Sequence, residues 1–335
     1  MRTNSHTSFH LAVMVLFLTL GVGWWLTLSF VQHTFMRTAN SQSNQPDMFM
    51  HDVHYLQINE DGIPQNHTSA LTVLHHPQDD EYIYTSPELH LVDSSQQIWQ
   101  ITALSGTSKH GQSIITLADQ IKILVFTNAA THTPNMEITA NTLTAYPDTE
   151  TAETRDHITI TQGGNITDAV GAKLDMKKGI LQLLAKVTGK YQDYTPPAIY
   201  SAEQAECLQK EHVCTYLGNV KYDQAANHLE APKVIVYSND SNAEQKIKKI
   251  VAIGKPAYYH TLQEPQKTPV DARAQTIELY PSENLVTLTG AAEVINEQGK
   301  FTSEYIKYNT LKHIVFSSAS EHSLTTIILN PKTNK

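Results

Sequence analysis

Beyond residue 47, apolar and polar positions alternate with a period of two over short segments separated by turn-forming clusters. Ile121-Lys122-Ile123-Leu124-Val125 has this pattern, as do Trp99-Gln100-Ile101-Thr102-Ala103 and Ile158-Thr159-Ile160-Thr161. Later come Val220-Lys221-Tyr222, Val234-Ile235-Val236-Tyr237 and Ile277-Glu278-Leu279-Tyr280. Successive side chains of an extended chain point to opposite faces, so alternation rich in Thr, Val, Ile and Tyr predicts strands with one buried face. Asn59-Glu60-Asp61-Gly62, Gln162-Gly163-Gly164-Asn165 and Asn296-Glu297-Gln298-Gly299 supply turns. Only the stretch 177–190 is ambiguous in period, and its Gly179 and Gly189 favour a strand over a helix.

A different pattern precedes the strands. Leu11 to Val31 is one apolar run without a charge, long enough to span a hydrocarbon core of about 30 Å as a helix. Cleaved signal sequences end in small residues, whereas this run ends in Trp24-Trp25-Leu26-Thr27-Leu28-Ser29-Phe30. We read it as a retained membrane anchor. Arg2 and Arg37 flank it almost symmetrically, so orientation rests on the short amino-terminal tail and the large polar remainder, which favour the bulk of the chain outside the cytoplasm. The small, uncharged stretch 38–46 has the composition of a flexible tether.

The strands repeat loosely. Leu117-Ala118-Asp119-Gln120-Ile121-Lys122-Ile123 is echoed by Thr154-Arg155-Asp156-His157-Ile158-Thr159-Ile160, and Gly218, Gly254 and Gly290 follow one another at intervals of 36 residues. Between the glycines, Leu229-Glu230-Ala231 and Val270-Asp271-Ala272 each read as the opening of a strand, as do Ile138-Thr139-Ala140 and Phe301-Thr302-Ser303. Such periods indicate stacked units that bury their apolar faces against one another. Gly62 and the three spaced glycines read as turn or bulge positions. Pro196-Pro197 is the best internal boundary, because two prolines cannot both serve a central ladder. The division is therefore 1–33 tail and anchor, 34–46 spacer, 47–195 first β domain and 196–335 second.

Composition narrows the chemistry. A net charge of −9 over 335 residues argues against nucleic acid, which needs clustered Lys and Arg. Lys246, Lys248 and Lys249 lie beside Asp240 and Glu244 and read as a solvated strand face. The seventeen histidines, His51, His54, His75 and His76 among them, have no recurring ligand spacing and read as surface residues rather than a metal site. Asp79, Asp80 and Glu81 read as a turn. No phosphate loop, nucleophile elbow or His-Glu-x-x-His helix occurs, so no catalytic residue and no cofactor are assigned. The two cysteines, Cys207 and Cys214, would face each other across a hairpin turning at Lys210-Glu211, and an oxidising compartment would let them form a disulfide.

From Pro46 onward the motifs fall into a recognisable order. Pro46-Asp47-Met48-Phe49-Met50-His51-Asp52-Val53, Asp61-Gly62-Ile63-Pro64, Leu74-His75-His76-Pro77, Thr85-Ser86-Pro87-Glu88-Leu89 and Ile98-Trp99-Gln100-Ile101-Thr102-Ala103 come in turn. Over residues 1 to about 193 the chain resembles LptC, the bitopic inner-membrane component of the lipopolysaccharide transport machine. Ile199-Tyr200-Ser201-Ala202-Glu203, Leu217-Gly218-Asn219-Val220-Lys221-Tyr222-Asp223-Gln224, Gly254-Lys255-Pro256-Ala257 and Leu288-Thr289-Gly290-Ala291-Ala292 resemble LptA, the soluble bridge protein of the same machine. Asp223-Gln224-Ala225-Ala226 and Glu230-Ala231-Pro232 depart from the glutamine-glycine step and Ala-Asp usual in that family. The chain thus looks like a fusion of LptC-like and LptA-like (OstA-type) units.

The resemblance implies an all-β fold of two consecutive open β-jellyrolls after one transmembrane helix. It implies a non-catalytic, single-pass protein of the inner membrane whose bulk lies in the periplasm of a Gram-negative bacterium. Its implied partners are lipopolysaccharide, the inner-membrane lipopolysaccharide ABC transporter, and further LptA-like copies or the amino-terminal periplasmic domain of the outer-membrane translocon. Acyl chains would travel along an apolar groove. Parity nominates Ile121, Ile123, Ile138, Leu143, Ile158, Ile160, Val220, Val234, Val236, Ile277, Leu279 and Val294 for that face, which is either an open groove or a sealed core. Two other readings compete: a structural periplasmic tether that binds no lipid, and a hydrolase, which would need a carboxylate pair or nucleophile in a cleft. The segment 323–329 is expected to form the free far edge.

Overall fold

The computed structural model describes residues 45–330 except 59–63, 93–95, 110–112, 128–132, 193–194, 240–246, 264–267, 312–313 and 319–323. The expected anchor lies outside the described residues, among which no helix is long and apolar enough to cross a membrane. Every element of length is a strand, and every pairing is antiparallel between strands near in sequence. The meander starts with β1 (Met48–Ile58) and β2 (Pro64–His76). Four short strands follow, β3 (Glu81–Thr85), β4 (Glu88–Val92), β5 (Ile98–Thr102) and β6 (Ser105–Lys109). Long strands resume as β7 (Ile114–Phe126), β8 (Met136–Tyr146), β9 (Thr151–Gln162), β10 (Asn165–Asp175) and β11 (Ile180–Tyr191). After the short pair β12 (Ala198–Ala202) and β13 (Gln204–Leu208) come β14 (Val213–Gln224), β15 (Asn227–Ser238) and β16 (Ile247–Gln263). The chain finishes with β17 (Thr268–Tyr280), β18 (Leu285–Asn296), β19 (Gly299–Asn309), β20 (Ile314–Ser318) and β21 (Thr326–Leu329). The ambiguous 177–190 stretch is thus mostly strand β11. The four segments expected to open strands lie slightly inside β8, β15, β17 and β19.

A lengthwise crease folds this sheet into two layers. The β7–β8 register shifts between Ala118 and Ile121, β14–β15 between Leu217 and Val220, and β18–β19 between Thr289 and Ala292. Left-handed residues stand at those breaks: Asp119 and Gln120, Gly218 and Asn219, Gly290 and Ala291. A bulge of this kind bends the strand sharply, so each long strand contributes one half to each layer. Where the strand is interrupted instead, short strands share one place: β12 pairs with Thr188-Gly189 and its neighbours, and β13 with the other half of β11. The same division recurs at β3/β4, β5/β6 and β20/β21. The expected bulge role of Gly218, Gly254 and Gly290 is therefore a role in the crease; Gly62 lies outside the described residues.

Pro196-Pro197 falls between β11 and β12, yet the ladder does not stop there. β11 pairs with both β12 and β13, and these pair with β14, so one sheet runs through the boundary. Among the described residues every ladder joins halves of the same layer, and none closes the side opposite the crease. At one end β1 pairs only with β2 and exposes Phe49, Tyr55, Leu56 and Ile58. At the other, β20 and β21 pair only with β19 and expose Phe316, Ile327, Ile328 and Leu329, where the far edge was expected. Of the lysine cluster, Lys246 lies outside the described residues, Lys248 is exposed as expected, and Lys249 bonds Glu278 at 3.2 Å and lies over the rings of Tyr237 and Tyr280.

Between the layers lies one apolar core that includes Ile121, Val187, Leu229, Ile277, Leu288 and Ile306, all fully buried. Each such side chain contributes about 1.5–3 kcal/mol on burial, but only while the crease keeps both halves of its strand facing inward. Gly290 sits in the crease at φ +80°, and a Cβ there would meet the Gln275 side chain at 2.7 Å. Gly290→Val should lower stability by about 1–2 kcal/mol, the cost of a left-handed L-residue. Gly290→Asn should cost less, because Asn tolerates that region. Equal denaturation midpoints for Val and Asn variants would show that the crease does not depend on this conformation.

Candidate functional site

Antiparallel registration carries each inward side chain to an inward neighbour, so the interior is lined by rows that run across the strands. In one layer Leu89, Ile101, Ile123, Ile138 and Ile160 are successive partners. Thr167, Gly189, Tyr200 and Tyr222 continue the row. Leu229, Tyr259, Ala272, Val294 and Phe301 complete it. In the other layer one row reads Leu183, Ala205, Tyr216, Val234, Ala252, Ile277, Leu288 and Ile306. Both rows cross the Pro196-Pro197 boundary without interruption.

All twelve residues nominated by parity belong to this interior. Ile121, Ile123, Ile138, Ile158, Ile160, Val220, Val234 and Ile277 are buried, whereas Leu143, Val236, Leu279 and Val294 are partly buried and pack against them. In β17 and β18 burial is deepest beside the crease and falls towards the hairpin, as in Ile277 against Leu279 and Leu288 against Val286. Sequence reasoning missed Tyr200, Tyr216 and Tyr259 on the same face. For Tyr200 the pattern misleads, because apolar Ile199 beside it points outward and is 58% exposed. Val220-Lys221-Tyr222 did carry a signal for Tyr222, which shares the parity of Val220.

Cys207 and Cys214 are direct partners across β13 and β14 and form a disulfide, with sulfurs 2.10 Å apart and Cα atoms 4.1 Å apart. The turn between the strands is Gln209–Glu211, where it was expected. The bridge lies in the inner row between Leu181 and Val236, so it adds to the apolar lining while closing a hairpin. Closing so short a loop removes little chain entropy. Asp223-Gln224-Ala225-Ala226, which departs from the expected family pattern, makes the β14–β15 turn with Ala225 at φ +51°.

The outer face is polar and paired. Lys122 meets Glu137 at 3.0 Å, Lys221 meets Glu230 at 3.2 Å and Arg273 meets Glu293 at 3.5 Å. Exposed pairs contribute at most about 1 kcal/mol each, but they mark which face meets water. His228 lies between Asp223 and Glu230. Partial burial works against its charge, yet the hydrogen bonds to the two carboxylates outweigh that and raise its pKa. His75 is likewise raised, chiefly by its hydrogen bond to Asp47 at the start of β1. The expected surface histidines also include His54, whose ring stacks on His67 across β1 and β2. Among the described residues no group of three or more His, Cys, Asp or Glu is arranged to hold a metal ion.

Comparison with known proteins divides the chain where the prolines stand. The family described as lipopolysaccharide-assembly, LptC-related, matches residues 12–192. The family described as LptA/(LptD N-terminal domain) LPS transport protein matches residues 200–313. The lipopolysaccharide export system protein LptH of Pseudomonas aeruginosa is 31% identical over 134 residues, covering 40% of this chain and 75% of that protein. The crystal structure of LptH, the LptA-homologous periplasmic component of the lipopolysaccharide transport device from that organism, matches at 27% identity. It covers 40% of this chain and 96% of that one, with a TM-score of 0.37.

The His228 geometry has a pH consequence. Because its folded pKa is raised, its stabilisation is complete below the unfolded value of about 6.5 and is lost as pH rises through the folded pKa. His228→Gln should therefore lower the melting temperature more at pH 5.5 than at pH 8.5. A loss of equal size at both values would mean that the protonated imidazole contributes nothing.

Proposed function

Because the chain belongs to the LptC-related lipopolysaccharide-assembly family and joins to it a segment like the LptA family, we propose that it is a non-catalytic bridge carrying lipopolysaccharide across the periplasm. Leu11–Val31 anchors it in the inner membrane; the family match begins at residue 12, inside that run. Residues 47–195 and 196–335 act as two jellyroll units, in keeping with matches that end at 192 and resume at 200. Lipopolysaccharide enters from the inner-membrane ABC transporter at the β1 end. It leaves at the β20–β21 end, where the edge accepts a further LptA-like copy or the amino-terminal domain of the outer-membrane translocon by strand addition.

The observation that carries this reading is the inner row from Leu89 to Phe301, which crosses the boundary strand by strand. Acyl chains gain about 0.8 kcal/mol for each buried methylene, so an apolar interior holds such a lipid without a cluster of phosphate-binding cations. The side opposite the crease, where no ladder closes the layers, leaves the sugar and phosphate part in water. Moving the lipid requires work from the transporter, since no nucleotide-binding motif occurs in this sequence. The competing tether reading has no use for an apolar row that continues through a joint.

A photo-crosslinking residue at Ile123 or Val236, which face inward, should give lipopolysaccharide adducts in cells. The same residue at Lys122 or Lys221, which face outward, should give none. Adducts nowhere in the interior would remove lipid transport from consideration and leave the tether.

A further inference from the structure

The interior changes character at the joint between the two units. Upstream, the inner row is aliphatic through Ile123, Ile138 and Ile160; at the joint it becomes Thr167, Gly189 and Tyr200. Gly189 is the direct partner of Tyr200, and the tyrosine ring lies against it: a Cβ on Gly189 would clash with Cζ of that ring. The ring thereby reaches across β11, and its hydroxyl shares a 2.6 Å hydrogen bond with the Thr167 hydroxyl on β10. From the opposite layer Tyr216 meets Tyr200 edge to face, with ring centroids 5.3 Å apart at 66°.

The two rings bridge one layer to the other, and the hydroxyl pair of Tyr200 and Thr167 interrupts a row that is aliphatic upstream. Resting on the lipid-bridge reading, we propose that Tyr200 and Tyr216 form an internal gate between the two units, which opens when the passing amphiphile takes over the hydrogen bond between Tyr200 and Thr167. A buried hydroxyl without a partner is costly, so the empty protein satisfies the Tyr200 and Thr167 hydroxyls with each other, and the Tyr216 ring packed on Tyr200 closes the joint. An acyl chain alone offers them nothing in exchange. A lipid whose acyl groups carry carbonyl or hydroxyl oxygens does, and this makes the gate selective for such lipids over plain hydrocarbon. Burial pushes the Tyr216 hydroxyl well up in pKa and raises that of Tyr200, so both remain hydrogen-bond donors throughout the physiological range. Gly189 is the seat of the gate, since any larger residue displaces the Tyr200 ring.

The test uses the full-length chain in cells, with the cell's own lipopolysaccharide as probe and crosslinking residues at Ile123 before the gate and Ile277 beyond it. Tyr200→Phe keeps the ring and removes its bond to Thr167. It should raise the ratio of adducts at Ile277 to those at Ile123 about fivefold, as expected for one lost hydrogen bond. Gly189→Ala, which unseats Tyr200 by sterics alone, should raise it as well. If Tyr200→Phe fails to fold, Thr167→Val, which removes the same bond from the other side, carries the same expectation. Adducts at both positions in the unmodified protein, with a ratio that neither substitution raises, would overturn the gate and leave the lipid bridge standing. No adduct at either position in the unmodified protein would overturn the bridge reading and the gate with it.

Discussion

A strand with one apolar face is useful only in the correct register, since a slip of one residue turns every inward side chain outward. In this molecule the constraint is compounded, because each long strand serves two layers and must keep its apolar face inward on both sides of the crease. Ile121 and Leu117 lie on the two sides of the break in β7, and both are buried. The left-handed pair Asp119-Gln120 between them lets the strand bend without presenting the wrong face. The same arrangement recurs at Gly218-Asn219 and Gly290-Ala291. The core, the open side and the uninterrupted inner rows all depend on this repeated correction of register.

That dependence explains what could be read from the chain and what could not. Alternation within a half-strand is local, so Ile121-Lys122-Ile123 and Val234-Ile235-Val236 revealed both their strands and their inward faces. The cysteine pair was legible for the same reason, since a hairpin brings Cys207 and Cys214 together over a short stretch of chain. The crease was legible only in part: the spaced Gly218, Gly254 and Gly290 marked bulges, but Asp119, Gln120, Asn219 and Ala291 also fill its left-handed positions, and no residue type announces those. The gate was hidden more deeply. Thr167, Gly189 and Tyr200 come together only through the register of β10, β11 and β12, and Tyr216 reaches them from the other layer.

The inner and outer faces of the same strands divide the labour. Outside, ladders such as Lys221–Glu230 and Arg273–Glu293 are solvated and add little stability, but they keep the outer surface from offering a competing apolar path. Inside, the lining is aliphatic through Ile160 in the first unit, and tyrosines enter it at the joint with Tyr200, Tyr216 and Tyr222. A covalent fusion gives such a change a fixed place. The junction that separate proteins would form by chance encounter is held here at high local concentration by the short segment between β11 and β12.

One sheet runs through the joint, which a pair of domains swinging on a linker would not have. Lys122 and Lys221 lie in one outward row, linked by successive partners across six inter-strand steps. At about 4.8 Å per step they are roughly 29 Å apart along the sheet. Spin labels on Lys122→Cys and Lys221→Cys, with the native disulfide intact, report that separation directly by pulsed dipolar spectroscopy. A single narrow distribution near roughly 30 Å is the predicted result; a broad distribution extending well beyond it would contradict a continuous interior.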